Sequence, residues 1–430
     1  MSQYSTSLRT QHYEPSSHIA NKMTTFRLDK NSLYMPNMRI INLGYFTDAD
    51  DQTPSQLAGH YGCIQRISLM DGAKTLSTLR NANVWLSFEN QLGDNQHKLN
   101  VLSPQCQAAI GYILRPDDKV DYPPPPAGSA LSNGSASEVL TSTLDLRRVF
   151  PCLNQMSSGV DTALFTQLRV EIEYVTDAAA VGLSDKSKSV TIQEPTLLAD
   201  MVVDPSLAAA MRKAQPSVVP FYEIENDVLV VPTQTGTNDT TPIVQSTTST
   251  LNGFDNKVVG RVAIAKLTTD RDDNYATNAR RAYGAFSSRN YHREVLQIRK
   301  NGQNMFPSSG ISNDGYKLQL LHDAWGNVCI PPFGAAAGVG LANPQGFSND
   351  SGTPVTDDTG KQANRIGASD YYGFSVEDRV NQLSLTFQRD CTTTNVDTYN
   401  WTNNGITMFV FGEVRKSIVI KGGSYECVYA

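Results

Sequence analysis

The residues best suited to metal binding or proton transfer in this chain are its histidines, and they lie far apart. Local metal sites usually place two histidines two or four positions apart, and a zinc protease carries the pattern H-E-x-x-H. Neither arrangement occurs in the sequence. We therefore predict no catalytic or metal-binding role for the six histidines, which are His12, His18, His60, His97, His292 and His322.

The cysteines are equally dispersed. A disulfide framework or a zinc site needs cysteines that are paired or closely spaced, as in C-x-x-C, and no such pair occurs. The pattern therefore predicts isolated thiols in a reducing compartment. The six positions are Cys63, Cys106, Cys152, Cys329, Cys391 and Cys427.

Three further patterns could do chemistry, but each lacks a required partner. The segment Gly334–Gly340 is glycine-rich but has neither the lysine of a P-loop nor the flanking strand and helix of a dinucleotide site. The acidic cluster Asp48–Asp51 lacks the glycine and the distal glutamate of a calcium loop. The nucleophile motif G-x-S-x-G does not occur. We therefore predict no catalytic, cofactor-binding or metal-binding residues and no enzymatic activity.

Composition excludes several classes of function. The chain has 430 residues, a formal net charge of −6 and 18% charged residues. General nucleic-acid binders are basic, so we expect no direct sequence-specific contact with nucleic acid. No stretch approaches the ~18 apolar residues of a membrane span. The first 22 residues have no apolar signal-peptide core, so we expect synthesis in the cytosol without a signal peptide.

Alternating apolar and polar residues predict an all-β chain. The segments 168–174 and 382–388 alternate strictly, which indicates strands with one buried and one wet face. Asp71-Gly72 and Asn301-Gly302 follow strand-like runs and are hairpin signals, because glycine accepts the positive φ of such turns. The most apolar run, Ile406–Phe411, has the length of a strand.

Other segments predict a helix, an arm and loops. Asp204 and Pro205 begin an alanine-rich helix that ends before Pro216. Residues 75–88 fit either a short helix or a strand. Residues 1–22 are polar and are predicted to form a flexible arm, with ordered structure beginning near Phe26. Long loops are predicted over three segments, which are 116–137, 233–250 and 334–360.

The two halves of the chain repeat the same order of elements. The alternating strand at Leu168 corresponds to the one at Leu383, at an offset of 383 − 168 = 215 positions. The hairpin at Gly72 corresponds to that at Gly302, with 302 − 72 = 230, and the run beginning at Leu197 corresponds to Met408, with 408 − 197 = 211. Three matches in order favour a duplicated β-domain.

The junction between these halves resembles that of a known family. The run Leu197–Pro205, the helix, and the run Pro220–Glu225 resemble the connection between jelly rolls in double jelly-roll major capsid proteins. In large nucleocytoplasmic DNA viruses and polinton-like relatives, that connection carries leucine-leucine-aspartate, a strand, aspartate, a helix, then tyrosine, leucine or isoleucine, and glutamate. Virophage-like and tailless-phage relatives fit the layout equally well.

The resemblance implies a definite architecture. It implies two tandem eight-stranded jelly rolls, with residues 1–22 as arm, 23–203 as first roll, 204–216 as junction helix and 217–430 as second roll. Three copies would form a trimeric, pseudo-hexameric capsomer of an icosahedral shell, so the protein would reside in the virion.

The resemblance also implies partners, while the residues leave other readings open. The implied partners are other copies of the chain, minor capsid or penton proteins, and an internal membrane facing the arm. Alternatives are a viral spike, fibre or carbohydrate-binding β-sandwich, for which Trp325 and Trp401 would form the aromatic platform, and a β-rich glycosidase, which needs paired carboxylates in a cleft.

Overall fold

The chain folds mainly into β-strands that form two lobes. The computed structural model describes residues 7–47, 59–90, 92, 103–106, 142–175, 190–232, 243–268, 294–312, 314–326, 371–391 and 405–430. In these residues we find no helix that is both long and apolar enough to cross a lipid bilayer.

The first lobe contains two main sheets packed face to face. Its elements are β1 (Leu8–Tyr13), β2 (Ser17–Ile19), β3 (Met23–Arg27), β4 (Leu33–Tyr34), β5 (Arg39–Leu43), β6 (Tyr45–Thr47), β7 (Ile64–Asp71), β8 (Lys74–Arg80), α1 (Ala82–Glu89), α2 (Ser103–Cys106), β9 (Ser142–Asp145), α3 (Pro151–Gln155), β10 (Val160–Asp161), β11 (Leu168–Tyr174), β12 (Val190–Ile192) and β13 (Thr196–Val202). One sheet has the order β1-β13-β5-β9 and the other β3-β11-β7-β8.

The second lobe repeats this plan after a junction helix. Its elements, with that helix first, are α4 (Pro205–Lys213), β14 (Val218–Val231), β15 (Ile243–Thr250), β16 (Lys257–Thr268), β17 (Val295–Lys300), β18 (Gln303–Asn304), α5 (Asp314–Trp325), β19 (Tyr371–Val380), β20 (Leu383–Cys391), β21 (Ile406–Lys421) and β22 (Ser424–Tyr429). The two sheets have the orders β14-β21-β16-β19 and β15-β20-β17-β18.

Both lobes have the connectivity of an eight-stranded jelly roll. In chain order, the first, eighth, third and sixth of the eight main strands form one sheet, and the second, seventh, fourth and fifth form the other. The three sequence correspondences fall on equivalent strands, namely β11 with β20, the β7-β8 hairpin with β17-β18, and β13 with β21. The predicted all-β fold of two tandem jelly rolls is confirmed.

The prediction of a flexible arm is wrong over the part of it that the structure describes. β1 pairs with β13 along its whole length, from Leu8 opposite Val202 to Tyr13 opposite Leu197, and β2 pairs with β3. β1 is therefore the first strand of the first jelly roll, and ordered structure begins well before Phe26. The pattern misled because an edge strand is held mainly by its backbone ladder. Most side chains of β1 are at least partly exposed, so its sequence looks polar.

The remaining segment predictions have mixed outcomes. The helix after Asp204 is confirmed, and the Asp204 carboxylate caps it by accepting from the backbone N–H of Ser206 at 2.8 Å. Residues 75–88 are strand and then helix, divided at Asn81, whose φ of +50° turns the chain. The loop prediction for 233–250 is wrong over 243–250, which form β15. The loops predicted over 116–137 and 334–360 lie outside the described residues.

Candidate functional site

The two lobes share a buried contact that lies outside the core of the second jelly roll and continues the core of the first. The sheet that contains β14, β21, β16 and β19 is covered on both faces. In β21, Met408 and Val410 point into the core of the second lobe, whereas Phe409 and Phe411 belong to the core that continues into the first lobe. All four side chains are at most 5% exposed. This double burial explains why Ile406–Phe411 is the most apolar run of the sequence.

Aromatic rings from both lobes meet at the centre of the contact. Trp85, in α1, lies 5.6 Å from Trp325 of α5 and 5.3 Å from Phe411, measured between ring centroids. Phe88, one turn further along α1, packs at 5.5 Å edge-on against Trp325 and at 5.1 Å against Tyr371. The helices α1 and α5 occupy equivalent places in the two jelly rolls, between the fifth and sixth main strands. The duplicated helices therefore face each other across the contact.

A buried polar cluster lies beside the rings and closes the free edge of β8. The Glu223 carboxylate Oε1 accepts from the Thr78 backbone N–H at 2.7 Å and from the Ser77 hydroxyl at 3.0 Å. Lys416 Nζ donates to the Leu76 carbonyl at 2.7 Å and lies 3.9 Å from Glu223 Oε2. An open sheet edge is prone to unwanted pairing, and here side chains of the other lobe occupy it.

Burial dominates the electrostatics of this cluster. Glu223 is only 1% exposed, and the loss of hydration raises the pKa of its carboxyl to about 7, although Lys416 and the hydrogen bonds from Thr78 and Ser77 oppose the rise. The pKa of the neighbouring Cys152 thiol is raised as well, first by burial and then by the charge of Glu223. A buried thiol with a raised pKa is a poor nucleophile, so this cluster is suited to holding the lobes together.

The C-terminal hairpin, β21–β22, also contacts the first lobe. The Tyr425 hydroxyl, on β22, donates to the Asp71 carboxylate of the first lobe at 2.9 Å, and its ring lies 4.8 Å from Phe165. Between these positions and the aromatic cluster, Asn81 Nδ2 donates to Asn226 Oδ1 at 2.5 Å. Contacts from β8, α1, β14, α5 and β22 thus fix the angle between the lobes at several separate points.

The histidines that the structure describes lie on separate elements. Among the described residues, His12 is on β1, His18 is on β2 with its ring 2.8 Å from the Thr24 hydroxyl, and His322 is exposed on α5. His60 is buried, with Nδ1 3.0 Å from the Ser142 hydroxyl, and burial lowers its pKa to about 4. His97 and His292 lie outside the described residues. Within the described ranges, no three His, Cys, Asp or Glu side chains are grouped as a metal site.

The other sequence candidates give no assembled site in the described part of the chain. Cys63, Cys106 and Cys152 are buried, Cys427 is partly buried, and Cys391 is the last residue of β20. The segments Asp48–Asp51 and Gly334–Gly340, with Cys329 and Trp401, lie outside the described residues. Trp325 is packed against Trp85 and Phe88, stacks with the Arg261 guanidinium and donates from Nε1 to the Val262 carbonyl at 3.0 Å. Because its ring is engaged in the lobe contact, it is not part of an open aromatic platform.

Sequence reasoning missed Glu223 and Lys416. A signal was present, because Glu223 shares its strand face with Val219 and Phe221, so a carboxylate occupies a position where the period of two predicts an apolar residue. Only the assembled lobes identify its partners, which come from β8 some 145 residues away.

Comparison with known proteins identifies the fold. No family model and no curated protein matches the sequence. Among solved structures, the mavirus major capsid protein is 12% identical, with 99% of this chain and 90% of that chain covered and a TM-score of 0.54. The structure of the Sputnik virophage gives 11% identity, 98% and 88% coverage and a TM-score of 0.57. The structure of PBCV-1 VP54 gives 11% identity, 98% and 96% coverage and a TM-score of 0.52. At these identities the likeness establishes a shared fold, the double jelly roll, over nearly the whole chain.

Proposed function

We propose that this chain is the major capsid protein of an icosahedral virus and is located in the virion. The observation that supports this most directly is the likeness in fold to the mavirus major capsid protein, which extends over 99% of this chain. A fold alone does not specify a function. The proposal therefore also depends on how the two lobes are joined.

The duplicated lobes suit a tile with six corners. Two jelly rolls of equal connectivity in one chain allow three chains to present six similar lobes, which is the shape needed to fill a hexagonal position in a closed shell. We therefore propose a homotrimer as the building block. A tile of this kind works only if the two lobes keep a fixed angle, and the aromatic and polar contacts across Trp85, Phe411 and Glu223 supply that rigidity.

We propose a structural role without catalysis. The buried ionisable groups of the lobe contact are occupied in holding backbone groups of the other lobe, as Glu223 holds the edge of β8 and Lys416 the carbonyl of Leu76. The partners proposed are other copies of the chain and, at the borders of the tile, minor capsid or penton proteins. Because β1 is built into the first jelly roll, residues 8–13 are not proposed to contact an internal membrane.

Mass measurement in solution tests this proposal. Size-exclusion chromatography with light scattering should give a stable particle of three times the 47.0 kDa chain mass. Negative-stain images of that peak should show tiles with three-fold symmetry and six lobes. A monomer at all concentrations, with glycan binding on an array, would contradict the capsid proposal and favour the carbohydrate-binding alternative.

A further inference from the structure

The strand β15 presents a long sheet edge with an unusual lack of protection. β15 pairs with β20 along its full length, from Ile243 opposite Cys391 to Thr250 opposite Ser384. Among the described residues, no other strand pairs with it. Eight residues of strand correspond to about 27 Å of edge. As far as the described ranges extend, the outer backbone groups of β15 have no strand beside them and can accept a further one.

The edge of β8, by contrast, is covered by side chains of the other lobe. The Glu223 carboxylate accepts from the Thr78 backbone N–H, and Lys416 Nζ donates to the Leu76 carbonyl. In the first lobe, the strand equivalent to β15 is β3, and β2 pairs along its outer side at residues 23–25. Among the described residues, β15 therefore lacks the short pairing strand that covers its counterpart β3 in the first lobe.

The sequence of β15 carries none of the usual devices against edge pairing. Natural edges are protected by lysine, proline, bulges or inward-pointing charges. β15 reads Ile-Val-Gln-Ser-Thr-Thr-Ser-Thr, with no charge, no proline and no glycine, and its pairing with β20 shows no bulge. β-Branched residues fill most of it, so the strand conformation is favoured.

The side chains of β15 are mostly polar on both faces of the strand, and those on its outer face are exposed to solvent. Val244 is 56% exposed, and Ser246, Thr248 and Thr250 follow it on the same exposed face. The opposite face holds Thr247 and Ser249, which are only half-buried. This strand therefore adds little to the core of its own lobe. Most of the stability that β15 can gain must therefore come from backbone hydrogen bonds, and a partner strand at its edge would add more of them.

We propose that β15 pairs edge to edge with β15 of a second copy of this chain, antiparallel, across a two-fold axis. Such a contact is self-complementary, because each strand supplies the same residues to the other. Like charges opposite each other would oppose the pairing, and this strand has none. Hydroxyl side chains that meet across strands form hydrogen bonds, as Thr248 and Thr386 already do within the lobe at 2.9 Å. The result is one sheet continuous through two molecules.

The place of this contact in a shell rests on the proposed function. A two-fold contact cannot close a three-fold trimer, so β15 would join one trimer to the next. The pairing itself rests only on the edge of β15. Trimer formation and β15 pairing can therefore fail separately.

A charge placed on the edge strand tests the pairing. In the Thr248→Lys variant, two lysines would approach each other across the two-fold axis, whereas in the control Thr386→Lys the lysine lies one strand inward on the same face. Both changes remove the Thr248–Thr386 hydrogen bond. We expect both variants to form the wild-type trimer, and only Thr248→Lys to weaken association between trimers, by about twofold to fivefold in sedimentation velocity. Equal association of the two variants would overturn the proposal.

Cysteine cross-linking tests the geometry independently. Single cysteines are introduced one at a time at each position from 244 to 250, with the wild type as control for the native thiols. Antiparallel pairing about a two-fold axis brings one position, on one face or the other, opposite its own copy. Under mild oxidation, we expect a covalent dimer for that position and little at the others. Cross-linking at none of the seven, or equally at all, would refute β15–β15 pairing. If the wild type never forms trimers but one cysteine variant still cross-links, the proposed function fails and this inference stands.

Discussion

Replacing Trp85 with alanine should uncouple the two lobes as well as destabilise the chain. Trp85 is 4% exposed and packs against rings of both lobes. Removal of its side chain leaves a cavity at the point where the cores of the two lobes are continuous. The change therefore acts on the contact that we propose keeps the tile rigid.

The expected magnitude follows from burial and ring contacts. Truncation of a buried aromatic side chain to alanine typically costs about 3–5 kcal/mol. Two of the ring pairs of Trp85 cross between lobes, those with Trp325 and Phe411, and each contributes about 0.5–1.5 kcal/mol beyond its buried area. About 1–3 kcal/mol of the loss is therefore coupling between the lobes.

Urea unfolding at fixed protein concentration measures both effects. With Trp401→Phe introduced in every chain compared, tryptophan fluorescence comes from Trp325, and from Trp85 where it is present, and reports the lobe contact. Far-ultraviolet circular dichroism reports the strands of both lobes. In the wild type the two curves should coincide, because the shared core makes unfolding cooperative. In Trp85→Ala the fluorescence change should come at lower urea than the loss of strand signal.

Phe374→Ala is the matched control. Phe374 is 2% exposed and packs at 5.4 Å against Phe306 within the core of the second lobe, away from the contact. We expect a similar loss of stability with the two curves still coincident, because the lobes remain coupled. Coincident curves in Trp85→Ala, or a loss below about 1 kcal/mol, would refute the reasoning that this cluster joins the lobes.

Three further predictions concern the lobes themselves. Burial lowers the pKa of His60 to about 4 in the folded chain, against 6.5 ordinarily. Its contribution of about 3 kcal/mol to the free energy of unfolding is therefore complete above pH 6.5 and is lost as the pH falls toward 4. Over that range the urea midpoint of His60→Gln should fall less than that of the wild type, and equal slopes would contradict this. Gly373→Ala places a Cβ against the Leu321 side chain of α5 and 2.8 Å from the Trp325 ring, and should lower the free energy of unfolding by about 1–3 kcal/mol. In the control Gly253→Ala, the new Cβ meets only ordinary contacts at 3.6 Å or more. Equal thermal midpoints of the two variants would show that α5 moves aside without cost. Deletion of residues 1–13 removes β1 and should lower the thermal unfolding midpoint of the chain in calorimetry, whereas a dispensable arm would leave that midpoint unchanged.

Much of the fold could be predicted from local pattern. The segment 168–174 has the alternation of buried and partly exposed residues that its sequence predicts. In a sheet with one covered face, apolar side chains point to the covered face and polar side chains to the other. The hairpins at Gly72 and Gly302 and the cap at Asp204 were predictable for the same reason, since their chemistry is satisfied by residues nearby in sequence.

The errors have a common physical cause. β1 and β15 are edge strands, whose stability comes from a backbone ladder to a partner far along the chain. β1 pairs with residues near 200 and β15 with residues near 390, and a backbone ladder leaves no mark on side-chain periodicity. A polar edge strand and a polar loop therefore have the same sequence signature.

The sequence by itself determined that the chain is a duplicated β-protein, because alternation, turn residues and a repeated order of elements are local properties that each half displays separately. Only the tertiary structure decided how the halves join. The contact depends on Trp85, Phe411 and Glu223, which come from distant segments and become neighbours only when the lobes dock. In the sequence, the apolar residues of this contact cannot be distinguished from ordinary core residues. An apolar side chain predicts that the residue is buried, but it does not predict which part of the protein covers it.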